Sequence, residues 1–413
     1  MLDNKDFGDG EIIESKVVGK VFKLSSYNKN PILTPQVLNI TKGNAAIFNP
    51  GAEIFENRII LVPRCHTGYK KVRFFDDSLK IERIGMENYL SEIRFFSSQD
   101  GEHFNPIKNQ VLKGDGSIHP APMLKSCGVS NNTSINNLRN NMHRCGARKD
   151  FSYGIEDIRI IRAKTPEEIY FLIGCGKIKR PFFDHNADRI AIYSTKDFKN
   201  ITYHGIIKDF DCRNAVPFPE YINNRLYMFF RLRPNIHLVE LEKGFEQLLN
   251  PHRHEKIWDK IYNNKDKTVF IKTGEFAHSR ERVGPGPQLI KTTKGWLFIY
   301  FSVGKINKDI THLYGLSKEI ERGYSISCAL LDLENPFKIL CRTKIPIYIP
   351  SHDYELFGSE QYPVDVPYVV FPIGAIQINN KLLIYCGAGD KYCIVLSCDV
   401  NNLLDYLLKY CLR

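Results

Sequence analysis

The chain has 413 residues, 43% of them hydrophobic and 12% aromatic, and a formal net charge of +11 at pH 7. That apolar content is ample for a packed core and excludes a globally disordered protein, and no segment approaches the roughly 20 apolar residues that span a bilayer. The basic balance suits an acidic partner, but Lys and Arg are spread along the chain without a basic block or basic amphipathic helix, so neither nucleic acid nor a membrane is expected as partner.

In chain order, the start Met1-Leu-Asp-Asn-Lys-Asp6 lacks the apolar stretch of a secretory signal. Five similar apolar strands then follow, each led in by Asn, Gly or a charge. They are Asn57–Arg64, Glu168–Gly174, Asn224–Arg231, Gly295–Phe301 and Asn380–Gly387. Their length and their β-branched and aromatic character mark strands rather than helices. A second strand closes on a polar turn after each, clearest at Ser91–Gly101, Arg189–Asp197, Tyr324–Leu333 and Tyr392–Cys398, weaker near Ile236–Glu240. Five strand pairs at spacings of several tens of residues predict an all-β fold, a five-bladed β-propeller, which limits exposed edges by radial repetition; a β-sandwich is the rival.

Two stretches break the pattern. Residues 111–150, polar and rich in Asn, Ser and Gly around His119-Pro-Ala-Pro122, read as a long loop between blades. Asn401–Tyr410 has helical apolar spacing behind an asparagine cap, which predicts a short closing helix over about 401–411. No Pro- or Ser-rich linker divides the chain, so residues 1–413 are expected to form one catalytic domain. The eleven cysteines include no Cys-x-x-Cys pair, and Cys175, Cys328, Cys386, Cys393 and Cys398 lie inside apolar runs. This pattern favours a reduced, cytoplasmic protein without a structural metal.

Chemistry is expected where charge meets the repeat strands. Tyr153-Gly-Ile-Glu-Asp-Ile-Arg-Ile160 sets two carboxylates and an arginine after a glycine at the start of a strand. Alternation would send Glu156 and Ile158 to one face, Asp157 and Arg159 to the other. Arg213 and Asn214 precede a Pro-flanked turn into the third repeat strand, which Arg231 ends, and Arg282 lies on the glycine–proline turn Arg280–Pro287. Planar guanidinium forks suit phosphate oxygens, while Gly284 and Gly286 form no phosphate-binding loop of the Gly-Lys-Ser/Thr kind.

Several motifs run in a fixed order: Asn49-Pro-Gly-Ala, Gly154-Ile-Glu-Asp-Ile-Arg, Arg213-Asn-Ala-Val with Phe218-Pro-Glu, Arg282-Val-Gly-Pro-Gly-Pro with Lys291-Thr and Gly295-Trp-Leu, Ala329-Leu-Leu-Asp-Leu, Val370-Phe-Pro, and Tyr385-Cys-Gly-Ala-Gly-Asp390. Together they resemble glycoside hydrolase family 130, the mannoside phosphorylases and related mannosidases. The resemblance implies a five-bladed propeller and inverting phosphorolysis of a β-mannoside, or the reverse synthesis, through α-mannose 1-phosphate. It implies Asp157 as general acid, with Arg213, Asn214, Arg231, Arg282 and Tyr324 around phosphate. It also places Asp390, Asn49, Arg64 and Glu156 about the sugar. The partners so implied are a mannose-containing oligosaccharide and inorganic phosphate as co-substrate, with no cofactor and no metal; a homo-oligomer is left open.

An inverting enzyme that uses phosphate needs one protein carboxyl, because the anion attacks the anomeric carbon; a hydrolase needs a second, about 6.5–9.5 Å away, to activate water. Nearby arginines lower a carboxyl's pKa, so Asp157 is expected to need separation or burial to stay protonated. The sequence departs from the family pattern at Ile158, where proline is usual, at Arg282, where lysine is common, and at Phe301, where a phosphate-binding histidine stands. Phe301 opens the way to a hydrolase or an atypical donor; the alternatives are an inverting β-mannosidase with Glu220 or Glu281 as base and, from a different class, a non-catalytic carbohydrate-binding propeller.

Overall fold

A computed structural model describes residues 7–76, 81–113, 151, 153–177, 188–207 and 211–412. Short N-terminal strands come first: β1 (Glu11–Ser15), β2 (Gly19–Lys23) and β3 (Ser25–Ser26). Five antiparallel sheets follow around a common axis. The first has β4 (Asn44–Phe55), β5 (Arg58–Asp76), β7 (Ser91–Ser98) and β8 (Asn105–Lys113), with β6 (Ile81–Glu87) pairing the far end of β5. The second runs through β9 (Ile155–Ala163), β10 (Ile169–Lys177), β11 (Asp188–Thr195) and β12 (Ile201–Ile207). The third has β13 (Arg213–Pro217), β14 (Leu226–Leu232), β15 (Asn235–Leu241) and β16 (Val269–Ile271). The fourth has β17 (Arg282–Pro285), β18 (Ile290–Lys291), β19 (Trp296–Ile306), β20 (Ile320–Leu331) and β21 (Ile339–Arg342). The fifth is β22 (Val370–Ile378), β23 (Lys381–Ala388) and β24 (Tyr392–Asp399), completed by β3 from the other end of the chain.

The fold is the expected five-bladed β-propeller. The five repeat strands of the sequence are the second strand of each blade, and their partners are the third. They were legible because they are nearly all buried: β14 and β23 are buried at every position, and both faces of such strands are apolar. Of the innermost strands, β9 touches β4, β13 and β22, β22 touches β4, and β13 touches β17. Two segments read as turns, at Arg213 and at Arg282, are therefore corrected: each opens an innermost strand. Their prolines stay compatible with pairing because Pro217 and Pro285 end their strands.

Packing between neighbouring blades supplies the core. Between blades three and four, Phe229 stacks on Phe298 with ring centroids 4.2 Å apart and Phe218 meets Trp296 edge-on at 5.3 Å. Cys175, Cys328, Cys386, Cys393 and Cys398 are buried free thiols, as their apolar settings led one to expect. The closing helix spans Val400–Tyr410, and its cap is corrected from asparagine to Asp399, whose carboxylate accepts from the Asn401 and Asn402 N–H groups. It seats Leu403, Leu404 and Leu407 in the core, while Tyr406 donates to the Lys20 carbonyl of β2 (3.1 Å). Of the loop expected over 111–150, residues 111–113 finish β8 and the rest, His119–Pro122 included, lies outside the described residues.

Candidate active site

Three innermost strands carry a polar residue in left-handed backbone conformation where their pairing slips. Asn49 (φ 51°) falls between Phe48 and Gly51 of β4, Asp157 (φ 55°) opposite the shift from Ile173 to Cys175, and Asn214 (φ 55°) between Arg213 and Val216 of β13. Asn and Asp tolerate this region better than other side chains, and a bulge re-aims a side chain out of the regular pleat. Strand alternation at Glu156 and Asp157 is thereby overturned: both carboxylates meet the same two arginines.

Arg64, on β5, donates from Nη2 to Glu156 Oε1 (2.9 Å) and Tyr89 Oη (2.8 Å), and from Nη1 to Asp157 Oδ1 (3.3 Å). Arg213 donates from Nη2 to Asp157 Oδ2 (3.1 Å) and to Glu156 Oε2, and its Nη1 faces Asp188 Oδ2 at 3.6 Å. Asn49 Nδ2 donates to Asp157 Oδ1 (2.8 Å). Arg159 turns away from the carboxylates and donates to the carbonyls of Asp157, Pro285 and Gly286 at 2.8, 3.1 and 2.9 Å, pinning β9 to blade four. Two motif glycines make this packing feasible. A Cβ on Gly154 (φ 92°) would lie 1.7 Å from the Ser91 carbonyl oxygen, and one on Gly387 would lie 1.9 Å from Asn49 Oδ1.

Burial alone would push the Asp157 carboxyl up, but Arg64, Arg213 and Arg159, with the Asn49 amide, outweigh it and hold it at about 2. Burial without separation from the arginines therefore does not keep Asp157 protonated in the free protein: the paired charges win over desolvation. Asp390 behaves oppositely. It sits in the β23–β24 turn with φ 49°. Burial pushes its carboxyl up to about 7; Arg64 opposes this, while the like charges of Asp157, Asp365 and Glu156 add to it.

A second cluster adjoins the first through the register pair Arg213–Arg231. Arg231 is 4% exposed, its Nε has no hydrogen-bond partner, and its guanidinium lies over the Phe301 ring at 5.8 Å. Burial lowers its pKa, and the like charges of Arg213, Arg233 and Arg282 lower it further. Tyr324 stacks against Phe301 (centroids 6.0 Å), and the Arg282 guanidinium lies over the Tyr324 ring at 6.0 Å. Asn214 is buried with both amide atoms unpartnered. Buried polar atoms without partners are rare and call for a ligand or strain to explain them. The first cluster presents acid groups; the second presents positive charge and amide atoms without protein partners, suited to an oxyanion.

The candidate bases for a hydrolase are differently placed. Glu220 lies beyond the far end of β13 from Arg213, ion-paired to Lys164 and Lys291, so it is too remote to work opposite Asp157. Glu281 accepts from Arg322 Nε (2.9 Å) and stands 4.0 Å from Arg282 Nη2. Sequence reasoning passed over Tyr89, which donates to Glu156, and Asp188, which ties Arg213 to Lys177 and to Arg233 (3.3 Å). It also passed over His66, whose Nε2 accepts from Arg64 Nε at 3.0 Å. His66 carried one signal, its i+2 spacing from Arg64 on one strand face; Tyr89 and Asp188 carried none. Among the described residues no group of three or more His, Cys, Asp or Glu is placed to hold a metal ion.

A family model described as beta-1,4-mannooligosaccharide phosphorylase matches residues 130–409. The chain belongs to glycoside hydrolase family 130. Among its relatives, the beta-1,2-mannobiose phosphorylase of Listeria innocua is 26% identical over 399 residues, covering 92% of this chain and 97% of the relative. The 1,2-beta-oligomannan phosphorylase of Thermoanaerobacter sp. is 27% identical over 372 residues, covering 90% and 95%. The solved structure of the Listeria innocua enzyme in complex with beta-1,2-mannobiose superposes with a TM-score of 0.62 at 21% identity, covering 93% of this chain and 99% of that one. A further family 130 protein, from a study of hydrolases that target beta-1,2 mannosidic linkages in Candida mannan, superposes with a TM-score of 0.61 at 18% identity. These structures share the propeller fold.

Proposed function

We propose that this protein is a mannoside phosphorylase: it cleaves a β-mannoside with phosphate, or runs the reverse synthesis, inverting the anomeric carbon to give α-mannose 1-phosphate. The observation that carries this reading is the unpaired cluster beside Asp157. Arg231 and Asn214 are buried with polar atoms unsatisfied, next to Arg213 and Arg282. A phosphate dianion supplies the acceptors and charge this cluster lacks, and the arginines hold it in line, so that attack becomes effectively unimolecular.

Asp157 is the general acid and Asp390, Asn49, Arg64 and Glu156 surround the mannosyl unit. Arg213 joins the two functions, because the same Nη2 serves Asp157 and Glu156. A dianion on Arg213 would draw off part of the field that keeps Asp157 ionised, so phosphate binding favours the protonated acid. The full-length relatives support a β-1,2 linkage as the first substrate to try, since they are named as beta-1,2-mannobiose and 1,2-beta-oligomannan phosphorylases. The reading includes one catalytic unit over residues 1–413, phosphate as co-substrate with no other cofactor, and a cytoplasmic location. Among the described residues nine free cysteines, buried or half-buried, support the location, and no helix there is long and apolar enough to cross a membrane.

The test is to incubate the protein with β-1,2- and β-1,4-linked mannosides, with and without phosphate, and to assay mannose 1-phosphate. Phosphate-dependent product is expected. Free mannose released regardless of phosphate would replace this reading with a hydrolase, and sugar binding without product would replace it with a binding propeller.

A further inference from the structure

Phe301 stands directly across from Gly284 in the β17–β19 pairing, so both side-chain positions face the same side of the sheet. Its ring is fully buried with Val303, Val369, Phe371 and Ile373, and its centroid lies 4.5 Å from that of Phe371. A Cβ on Gly284 would come within 2.4 Å of Phe301 Cζ and 2.9 Å of Arg231 Cδ. The absence of a side chain at residue 284 thus lets one ring and one arginine stem occupy the same corner. The other arginines of the site, Arg64, Arg159 and Arg213, are fixed by oxygen acceptors. Arg231 instead lies over a ring that offers no acceptor lone pair, with its Cζ 5.8 Å from the ring centroid, and its Nε is without a partner.

We propose, on the reading that phosphate binds here, that Phe301 and Gly284 are positioning residues for Arg231. The ring holds the guanidinium by its face through a cation–π contact, strongest where water is excluded. It engages no N–H, so the donor edge stays free for the anion. Gly284 sets the depth at which ring and guanidinium meet. This makes Phe301 a determinant of phosphate affinity without itself touching phosphate.

The experiment is steady-state kinetics of Phe301→Leu and Gly284→Ala with phosphate and a β-mannoside varied separately, alongside thermal melting. The expected result is a phosphate KM raised roughly tenfold in each variant, with mannoside KM little changed and a melting temperature lowered by the repacking but still above the assay temperature. In the double variant the penalty of Gly284→Ala should shrink, because the smaller leucine vacates the space the methyl needs. Equal rises in both KM values, or a loss of activity that tracks lost melting temperature, would reduce the pair to ordinary packing and overturn the proposal. Should Phe301→Leu not fold, Phe301→Met replaces it, with similar volume and no π face. Wild-type turnover indifferent to phosphate would instead overturn the phosphorylase reading on which the proposal stands, and that result is read from the wild type alone.

Discussion

Arg213 answers to two clusters at once, and this separates it from Arg231. Its Nη2 serves Asp157 and Glu156 while Nη1 faces Asp188, so Arg213→Ala is expected to depress kcat and raise the phosphate KM together. Arg231→Ala removes a cation whose Nε has no protein partner, and should raise the phosphate KM at least tenfold more than the mannoside KM, by roughly 1.4 kcal/mol or more. Kinetics with both substrates varied checks the contrast, and identical profiles for the two variants would refute it. Asp157→Asn should cut turnover by about 10²–10⁴-fold while the protein stays folded, since Asn keeps an oxygen to accept from Asn49 and Arg64. An active variant would remove Asp157 from the mechanism. The carboxyl is held at about 2 by neighbouring arginines against the push of burial, so its stabilisation is complete above about pH 4 and is lost as pH falls through 2. Any melting-temperature gap between wild type and Asp157→Asn should therefore close in strong acid.

The innermost strands position the site through irregularity rather than through regular pairing. Gly154 opens β9 in a conformation with φ 92°, under the Ser91 carbonyl at a distance no Cβ can occupy. Gly154→Ala should shift the start of β9, carry Glu156 and Asp157 out of register with Arg64 and Arg213, and cost at least about 2 kcal/mol. Loss of both melting temperature and turnover is expected; a variant with wild-type kcat would show that β9 is placed by its other contacts. The second strands of the blades were readable because they are short apolar runs. Two innermost strands were not, because a bulge interrupts the period at Arg213-Asn-Ala-Val and the glycine and proline of Arg282-Val-Gly-Pro imitate a turn. The asparagine assigned as cap to the closing helix was wrong by two residues for a similar reason: Asp399 ends β24 and caps the helix in one residue.

Over the whole molecule the ring is closed by joining distant parts of the chain, with β3 completing the last blade beside β24. The Asn30 side chain donates to the Val395 carbonyl (2.8 Å) and accepts from the Val395 N–H (2.9 Å). Behind this closure lies Glu355, fully buried, which accepts from Tyr348 Oη (2.9 Å) and from the Ser351 (2.7 Å) and His352 (3.1 Å) N–H groups. Burial pushes its carboxyl up to about 7 against those hydrogen bonds. Between about pH 4.5 and 7 the folded state holds a proton that the unfolded chain has released, so stability falls as pH rises through this window. Glu355→Gln removes the penalty, since its amide oxygen can face the two N–H groups and its NH₂ the Tyr348 oxygen. The variant should melt above wild type at pH 8, by up to about 3 kcal/mol, and level with it near pH 5. A gap independent of pH would mean that the carboxyl does not titrate between the two states.

The sequence by itself determined the blade count, the candidate acid and the arginines, because repetition and ordered motifs are local properties of the chain. Tertiary structure alone decided which groups meet. Arg64, Asp157 and Arg213 come from three blades, and the Asn49 amide reaches Asp157 only once the inner strands of neighbouring blades pack. It also decided protonation: the same burial that raises Asp390 to about 7 is overridden at Asp157 by arginines from neighbouring blades. The balance of desolvation against opposite charge depends on distances across the axis, which no spacing along the chain encodes.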